Sequence, residues 1–180
     1  MSKVLIIKTS LRAKSNSDIL ADKVSDGAKA AGHDVEVISL KDKTIGFCKG
    51  CLACQKTQKC VINDDAIEIC QKALEANVLV FATPIYYYEM SGQMKTLLDR
   101  LTPLYPSDYR FRNVYMLSTA AEDETFVPEK AVSGLNGWVE CFEKASFKGS
   151  LFCGGINDMG EAEGKEEEKR EAYEFGKSLL

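Results

Sequence analysis

Residues 4–9, VLIIKT, run directly into residues 10–17, SLRAKSNS, and the apolar spacing of a helix begins at the end of that stretch. The apolar run is typical of a buried strand, and the hydroxyl-rich stretch predicts a loop that ends at a helix N-terminus. The first turn of a helix offers unpaired N–H groups and a partial positive charge. The polar side chains of the loop are those of Ser10, Arg12, Ser15, Asn16 and Ser17. This combination suits a phosphate, and an ordinary Ser/Asn helix cap is the alternative.

The composition is that of one soluble domain, which we expect to extend over residues 1–180. Hydrophobic residues make up 45% of the chain and charged residues 28%, which suffices for a buried core. The net charge of −4 argues against binding to nucleic acids or anionic membranes. We find no secretory signal and no apolar stretch long enough to cross a membrane, so we expect a cytoplasmic location.

Strands and helices alternate along the chain. Apolar or alternating runs predict strands at residues 3–9, 35–40, 78–82, 114–118 and 147–153. Helical spacing predicts helices over residues 16–31, from residue 64, from Ser91, over residues 128–144 and from residue 161 to about 179. The run at residues 78–82, VLVFA, does not alternate, as in a strand buried on both faces. The pattern predicts a parallel sheet with helices on both faces.

Three loops are expected at the carboxyl ends of strands, where open α/β sheets bind ligands. The first is the loop over residues 10–17. The second, residues 83–88 (TPIYYY), combines a stiffening proline with three tyrosines, which suits a planar ring, and a packed hydrophobic turn is the alternative. The third, residues 119–123 (TAAED), is informative only through its expected place beside the other two.

Three motifs carry a family resemblance: SxRxxSNS at residues 10–17, TPIY at residues 83–86, and SGQMK at residues 91–95 followed by DR at residues 99–100. With them the chain resembles the flavodoxin-like NAD(P)H-dependent FMN reductases over nearly its whole length. The resemblance implies an α/β three-layer sandwich, with a five-stranded parallel sheet in the order 2-1-3-4-5, and a bound FMN.

The resemblance also implies roles for individual residues. The first loop would hold the FMN phosphate, the second would border the isoalloxazine ring, and the third would close the other side of the ring. In that order the residues are Ser10, Arg12, Ser15, Asn16 and Ser17; Pro84, Ile85, Tyr86 and Tyr87; and Thr119, Ala120, Ala121 and Glu122. Because similar proteins pair as homodimers, Lys95, Asp99 and Arg100 would instead fix their helix and a subunit contact.

The activity implied by the resemblance is that of an oxidoreductase. Flavin N5 would accept hydride from NAD(P)H, and the ring would pass electrons to a flavin, a quinone or a small electrophile. No catalytic side chain is expected, and the only histidine, His33, lies in a predicted turn. An electron carrier between partner proteins and a redox-sensing binding module are the alternatives.

Four of the seven cysteines cluster in one loop. They are Cys48, Cys51, Cys54 and Cys60. Their spacing matches that of the iron-sulfur flavoproteins, a branch of the same superfamily in which a [4Fe-4S] cluster accepts electrons from FMN. Thiols without metal are an equally supported alternative, and zinc is a third. Cys70, Cys141 and Cys153 lie in periodic segments and are expected to be buried.

Overall fold

The computed structural model describes residues 1–180 and is built on a six-stranded sheet. The strands are β1 (Lys3–Lys8), β2 (Asp34–Ser39), β3 (Val78–Tyr86), β4 (Glu89–Met90), β5 (Asn113–Thr119) and β6 (Ser146–Cys153). The five long strands are parallel, in the order β2-β1-β3-β5-β6, and the two-residue β4 pairs antiparallel with the end of β3. The predicted five-stranded order is confirmed, with β4 as a short addition.

Six α-helices accompany the strands. They are α1 (Asn16–Ala30), α2 (Cys54–Thr57), α3 (Ala66–Glu75), α4 (Gly92–Arg100), α5 (Glu129–Val139) and α6 (Glu166–Lys177). Single 3-10 turns cover Thr102–Leu104 and Glu161–Gly164. Four details differ from prediction. In the middle of the chain, α2 interrupts the expected loop, and β3 continues through Tyr86 into the predicted loop of residues 83–88. In the last part, α5 ends at Val139 rather than near residue 144, and α6 begins at Glu166, after the second 3-10 turn, rather than at residue 161. No helix here has both the length and the apolar composition of a membrane span.

Alternate side chains of the central strands pack into two separate cores. Leu5 and Ile7 of β1 belong to a cluster of 23 buried residues that includes side chains of α3, α4 and α5. Val4 and Ile6 belong to a cluster of 16 that includes side chains of α1 and α6. Each such side chain contributes about 1.5–3 kcal/mol when it is fully buried. This arrangement explains the uninterrupted apolar strands and forms the predicted three-layer sandwich.

Helices α1 and α6 touch backbone to backbone. A Cβ atom on Gly27 would lie 1.9 Å from the carbonyl oxygen of Tyr173, and one on Gly176 would lie 2.1 Å from that of Val24. Only glycine permits this approach. The contact holds α6 against α1. The loops that follow β1 and β6 meet on the same face of the sheet.

Two serines fix the helices that start at the carboxyl edge of the sheet. Ser15 caps α1 by accepting a hydrogen bond from the N–H of Asp18, and Ser91 caps α4 by accepting one from the N–H of Met94. The start of α4 at Ser91 is as predicted. Ser91 Oγ also lies 3.1 Å from Oγ1 of Thr9, at the end of β1. These bonds orient two of the three loops singled out in the sequence.

Candidate functional site

The carboxyl ends of β3 and β5, together with the loops that follow β1, β3, β5 and β6, enclose a cavity of about 620 Å³ at the carboxyl edge of the sheet. Its lining consists of Ser10, Arg12, Ser15, Asn16, Pro84, Ile85, Tyr86, Tyr87, Thr119, Ala120, Ala121, Ile156 and Asn157. Both the position and the volume are typical of a ligand site in an open α/β fold. The three segments that the sequence singles out therefore meet at one cavity.

All the predicted cofactor-binding residues except Ser17 and Glu122 line this cavity. Ser17 is fully buried, and its Oγ lies 3.0 Å from that of Ser15. Glu122 lines a neighbouring cavity of about 340 Å³, where its Oε1 lies 3.5 Å from the hydroxyl of Tyr88. The two cavities share Ile85, Tyr87, Ala120 and Ala121. All the predicted residues except Ser17 thus line one or both of two connected cavities.

The floor of the large cavity is the N-terminus of α1. Asn16 and Ser17 are the first residues of this helix, so their N–H groups have no acceptor within it. Ser10 and Ser15 are buried beside them, with 2% and 3% of their surface exposed. The floor therefore combines free N–H donors, hydroxyl groups and the positive end of the helix dipole, which is favourable for an anion.

The side chain of Asn16 is fully engaged within the protein. Its Nδ2 donates to the carbonyl oxygen of Asp158 at 2.9 Å, and its Oδ1 accepts from the N–H of Ala162 at 3.1 Å. Arg12 also bonds to the loop after β6, closer to solvent: its Nη1 donates to the carbonyl oxygen of Asn157 at 2.7 Å. The Asn16 side chain thus positions the loop after β6, and its backbone N–H remains free for a ligand.

The loop after β6 contributes Ile156 and Asn157, which the sequence interpretation missed. A signal existed: residues 154–155, Gly-Gly, directly follow the fifth predicted strand, and the carboxyl-edge rule applies to that strand as well. A Cβ atom on Gly154 would lie 2.4 Å from the Cα of Asp123, so the glycine lets this loop pass close to the loop after β5.

The four clustered cysteines share a second, smaller cavity of about 150 Å³. Cys48 and Cys51 are exposed, whereas Cys54 and Cys60 are half-buried. Burial raises the pKa of the Cys54 thiol, and its neighbours Cys60, Cys48 and Cys51 raise it further because a thiolate would be repelled by theirs. The loop therefore brings four sulfur donors within electrostatic reach of one another.

This donor set fits a metal–sulfur centre in its chemistry, since four thiolates suit iron–sulfur clusters and zinc alike. No group of three or more His, Cys, Asp or Glu side chains converges as a ligand set in the structure. The sulfurs share one cavity, and bringing them to ligand distance requires the loop to draw together.

The three other cysteines differ in their surroundings. Cys153 is buried, as predicted, and Cys70 is half-buried in α3. Burial raises the pKa of each of these thiols to about 12. The prediction was wrong for Cys141, which is exposed just beyond the end of α5. Cys141 was placed in a helix because apolar residues keep helical spacing to about residue 144, but α5 ends at Val139.

The helix α4 lies between the two cavities. Lys95 and Asp99 form an exposed ion pair of 2.7 Å along it, as expected for a pair that supports its helix. The side chain of Arg100, at the end of α4, is fully buried and pairs with Asp64. Arg100 therefore has no surface to offer a partner, and the expected subunit contact is wrong for this residue.

A groove of about 360 Å³ connects the surroundings of the two sites. Its lining includes Leu11, which follows Ser10 of the large cavity, and Phe47, which precedes Cys48 of the cysteine cavity. The first turn of α4, through Gly92, completes it. Leu11, from the loop after β1, and Phe47, from the start of the cysteine loop, thus line the same groove.

The parallel sheet, with a polar-floored cavity at its carboxyl edge, defines a flavodoxin-like α/β protein. Within this class the chain belongs to the NADPH-dependent FMN reductase family, whose model matches residues 2–130. An NAD(P)H:quinone oxidoreductase from Methanothermobacter marburgensis has the same fold, with a TM-score of 0.78, 20% identity and 99% of each chain covered.

Curated relatives share higher identity over shorter stretches. An iron-sulfur flavoprotein of Archaeoglobus fulgidus is 38% identical over 100 residues, which are 56% of this chain and 49% of the relative. An iron-sulfur flavoprotein of Methanocaldococcus jannaschii is 37% identical over 102 residues, 57% of this chain and 53% of the relative. The chain thus matches about half the length of these proteins.

Proposed function

We propose that the protein is an NAD(P)H-dependent oxidoreductase that uses FMN bound in the cavity of about 620 Å³. Three segments meet around this one cavity, and their meeting is the observation that carries the proposal. They are the polar segment of residues 10–17, the tyrosine segment of residues 83–88 and the segment of residues 119–123. The description of the family, NADPH-dependent FMN reductase, supports it.

The residues of the cavity suit the parts of FMN. The phosphate would lie at the start of α1, where the N–H groups of Asn16 and Ser17 and the hydroxyls of Ser10 and Ser15 can donate to it. Arg12 adds a positive charge at the mouth of the cavity. The fit rests on the backbone N–H groups of Asn16 and Ser17, which have no partner within the helix, and on the sign of the helix dipole.

The other end of the cavity suits a flat ring. Tyr86 and Tyr87 offer aromatic faces to this cavity, and the small side chains of Ala120 and Ala121, which also line it, leave room for a ring. Bound FMN would supply the hydride acceptor and the onward transfer of electrons. The neighbouring cavity, which includes Tyr88 and shares Tyr87, offers room for the nicotinamide and then for a flavin, a quinone or a small electrophile.

The test begins with FMN-free protein, to which FMN is added while the quenching of flavin fluorescence is followed. Ala121→Trp fills this room from an exposed position and should abolish binding, whereas Ala30→Trp, at the exposed end of α1, should not. Anaerobic addition of NADH or NADPH should then bleach the flavin absorption of the wild type. A wild-type protein that binds no FMN, or whose flavin neither nucleotide reduces, contradicts the proposal.

The second candidate function is that of an electron carrier with a [4Fe-4S] cluster in the loop of Cys48, Cys51, Cys54 and Cys60. The specific observation in its favour is that all four sulfurs line one cavity. The names of the two curated relatives agree with it. In this function the cluster would exchange electrons with FMN across the groove beside α4.

Iron and acid-labile sulfide in anaerobically purified protein test this second candidate. Cys54→Ser should lose both elements, and Cys141→Ser, which changes an exposed cysteine outside the cavity, should keep them. Wild-type protein free of iron, before and after anaerobic reconstitution with iron and sulfide, excludes the carrier. The FMN proposal would be unaffected by that result.

We also propose that the protein pairs as a homodimer. Large apolar side chains are exposed around the two sites, among them Phe47 at 80% and Tyr87 at 98%. Clustered exposed apolar surface of this kind marks interaction sites. Sedimentation equilibrium should give twice the mass of 19.9 kDa, and a strict monomer at micromolar concentration would contradict the dimer.

A further inference from the structure

Arg100 is a buried cation with a single acidic partner. Its side chain is 0% exposed, and its Nη1 and Nη2 donate to the two carboxylate oxygens of Asp64 at 2.6 and 2.8 Å. A two-pronged bond of this kind fixes the orientation of both groups. Because an unpaired charge at this depth would be strongly destabilising, the pair can persist only as a unit.

The same guanidinium holds both ends of the cysteine loop. Nη1 donates to the carbonyl oxygen of Gly46 at 2.7 Å, and Nη2 donates to that of Ile62 at 3.2 Å. The carboxylate of Asp64 in turn accepts from the N–H of Gly46 at 2.8 Å. All four clustered cysteines lie between these two anchor points. The base of the loop is therefore closed by Arg100, and a bond of 3.1 Å from Nε2 of Gln58 to the carbonyl oxygen of Pro106 holds the segment between Cys54 and Cys60.

One donor of Arg100 has no use within the fold. The Nε–H group is buried and has no acceptor, which is unfavourable for a polar group. Arg100 and Cys60 line the cysteine cavity together. The hydrogen bonds to Asp64, and then the neighbouring sulfur of Cys60, raise the pKa of the guanidinium. A thiolate accepts a hydrogen bond more strongly than a thiol, so a charged sulfur at Cys60 would satisfy the unused donor.

We propose that Arg100 is the positioning residue of the cysteine site: it closes the base of the loop and donates Nε–H to the sulfur of Cys60 when the four thiolates hold a metal centre. The inference rests on the second candidate function. A centre with four thiolate ligands is negatively charged, and a fixed guanidinium offsets that charge as it orients one ligand. Lysine would keep the charge but lose the fork that reaches Gly46, Ile62 and Asp64 together.

The first experiment titrates Co²⁺ into the reduced, metal-free full-length protein and follows the thiolate-to-cobalt charge-transfer absorption. Arg100→Lys should weaken Co²⁺ binding roughly 10-fold to 100-fold, the usual effect of removing a partner of a metal ligand. Arg170→Lys is the matched control, because Arg170 is an exposed residue of α6 paired only with Glu167. FMN affinity, measured on each variant, reports whether the rest of the fold is intact.

The second experiment needs no variant at Arg100. In ¹⁵N-labelled wild-type protein loaded with ¹¹³Cd²⁺, the Arg100 Nε–H proton should couple to cadmium through the sulfur of Cys60 and exchange more slowly with water. This result stands even if Arg100→Lys fails to fold. An Nε–H signal that is the same with and without cadmium overturns the proposal, as does an Arg100→Lys variant that binds Co²⁺ as the wild type does. Wild-type protein that takes up neither metal overturns this inference and the electron carrier together, while FMN binding remains separately measurable.

Discussion

Tyr87 and Tyr88 are the two central residues of the hairpin between β3 and β4, and both have left-handed backbones, with φ of 53° and 66°. Positive φ at both positions is the geometry of a type I′ turn, which Asn-Gly sequences normally occupy. A non-glycine residue pays about 1–2 kcal/mol for this conformation. Strain of this kind clusters at functional sites, and Tyr87 lines the large cavity.

Replacing Tyr87 with asparagine should raise the free energy of unfolding but lower the affinity for FMN. Because the Tyr87 side chain is 98% exposed, Tyr87→Asn should lose few contacts and raise the free energy of unfolding by about 0.5–1 kcal/mol. The loss of an aromatic face should weaken FMN binding severalfold. Urea unfolding and flavin fluorescence measure the two effects. Tyr105→Asn, at an exposed tyrosine with φ of −56°, should bring no gain in stability.

Removing Arg12 should weaken the binding of FMN but not that of riboflavin, which lacks the phosphate. The guanidinium is exposed and is held over the cavity by Asn157, so we expect Arg12→Ala to lose roughly tenfold in FMN affinity, ~1.4 kcal/mol. The loss should shrink at high salt, because exposed charges are screened. Arg110→Ala, at an exposed arginine outside the cavity, should leave both affinities unchanged. Equal losses for both flavins would show that Arg12 acts on the ring.

Substituting Gly27 should disrupt the contact between α1 and α6. The Cβ of Gly27→Ala would lie 1.9 Å from a backbone oxygen, so the helices must separate, and we expect a loss of about 3 kcal/mol. Gly137→Ala makes the same change in α5, where nothing lies within 4 Å, and should stabilise the protein by about 0.5–1 kcal/mol. Urea midpoints that shift alike for the two variants would show that the close approach is absent in solution.

The ion pair of Asp64 with Arg100 should make stability dependent on pH. Burial disfavours the charged Asp64 carboxylate, but hydrogen bonds from Arg100, Gly46 and Ala66 outweigh it and hold its pKa below the ordinary 3.8. Because the pKa of Asp64 is lowered in the folded state, this carboxylate makes its full contribution to the free energy of unfolding above pH 3.8. That contribution is lost as the pH falls through the lower pKa of the folded state. Asp64→Asn should therefore cost about 3–5 kcal/mol at pH 7.

Urea unfolding between pH 7 and pH 2 measures this dependence. The difference between the wild type and Asp64→Asn should narrow only in the acidic part of that range. Asp99→Asn removes an exposed carboxylate from its pair with Lys95 and should cost less than about 1 kcal/mol throughout. A constant difference between Asp64→Asn and the wild type down to the lowest pH would refute the assigned role of the carboxylate.

The cysteines should divide into two classes by reactivity. Cys70 and Cys153 have a pKa of about 12 through burial, so at pH 8 they hold almost no thiolate. Cys48, Cys51 and Cys141 are exposed. Maleimide labelling of the metal-free protein, followed by peptide mass spectrometry, should modify the three exposed residues first. Labelling in denaturant should reach all seven cysteines, and rapid labelling of native Cys70 would contradict its burial.

The site residues that could be predicted from sequence are those whose position is marked by the residues next to them in the chain. Ser10 and Ser15 lie between a buried strand and a helix start, and Pro84 lies near the carboxyl end of another buried strand, so the carboxyl-edge rule places them on one cavity. Ile156 and Asn157 follow the same rule but lack distinctive chemistry, and so they were missed. The family resemblance assigned Glu122 to the ring as the weaker candidate of its loop, and Glu122 lines the neighbouring cavity instead.

Arg100 shows why other features could not be predicted. A basic residue in the last turn of a helix normally lies in solvent, where it complements the helix dipole. Its actual partner, Asp64, is far away in sequence, and a carboxylate before α3 looked like a contribution to that helix alone. Only the packing of α3 beside α4 brings the two together and buries them.

By itself the sequence determined the alternation of strands and helices, the burial of the sheet on both faces and the loops at its carboxyl edge, because hydrophobic period and helix-start chemistry are written in neighbouring residues. The tertiary structure decided which side chains share a space: the turn of Asn16 toward the loop after β6, the contact of Gly27 with α6, and the closure of the cysteine loop by Arg100. Each of these joins segments distant in sequence, and such contacts leave no periodic trace in either segment.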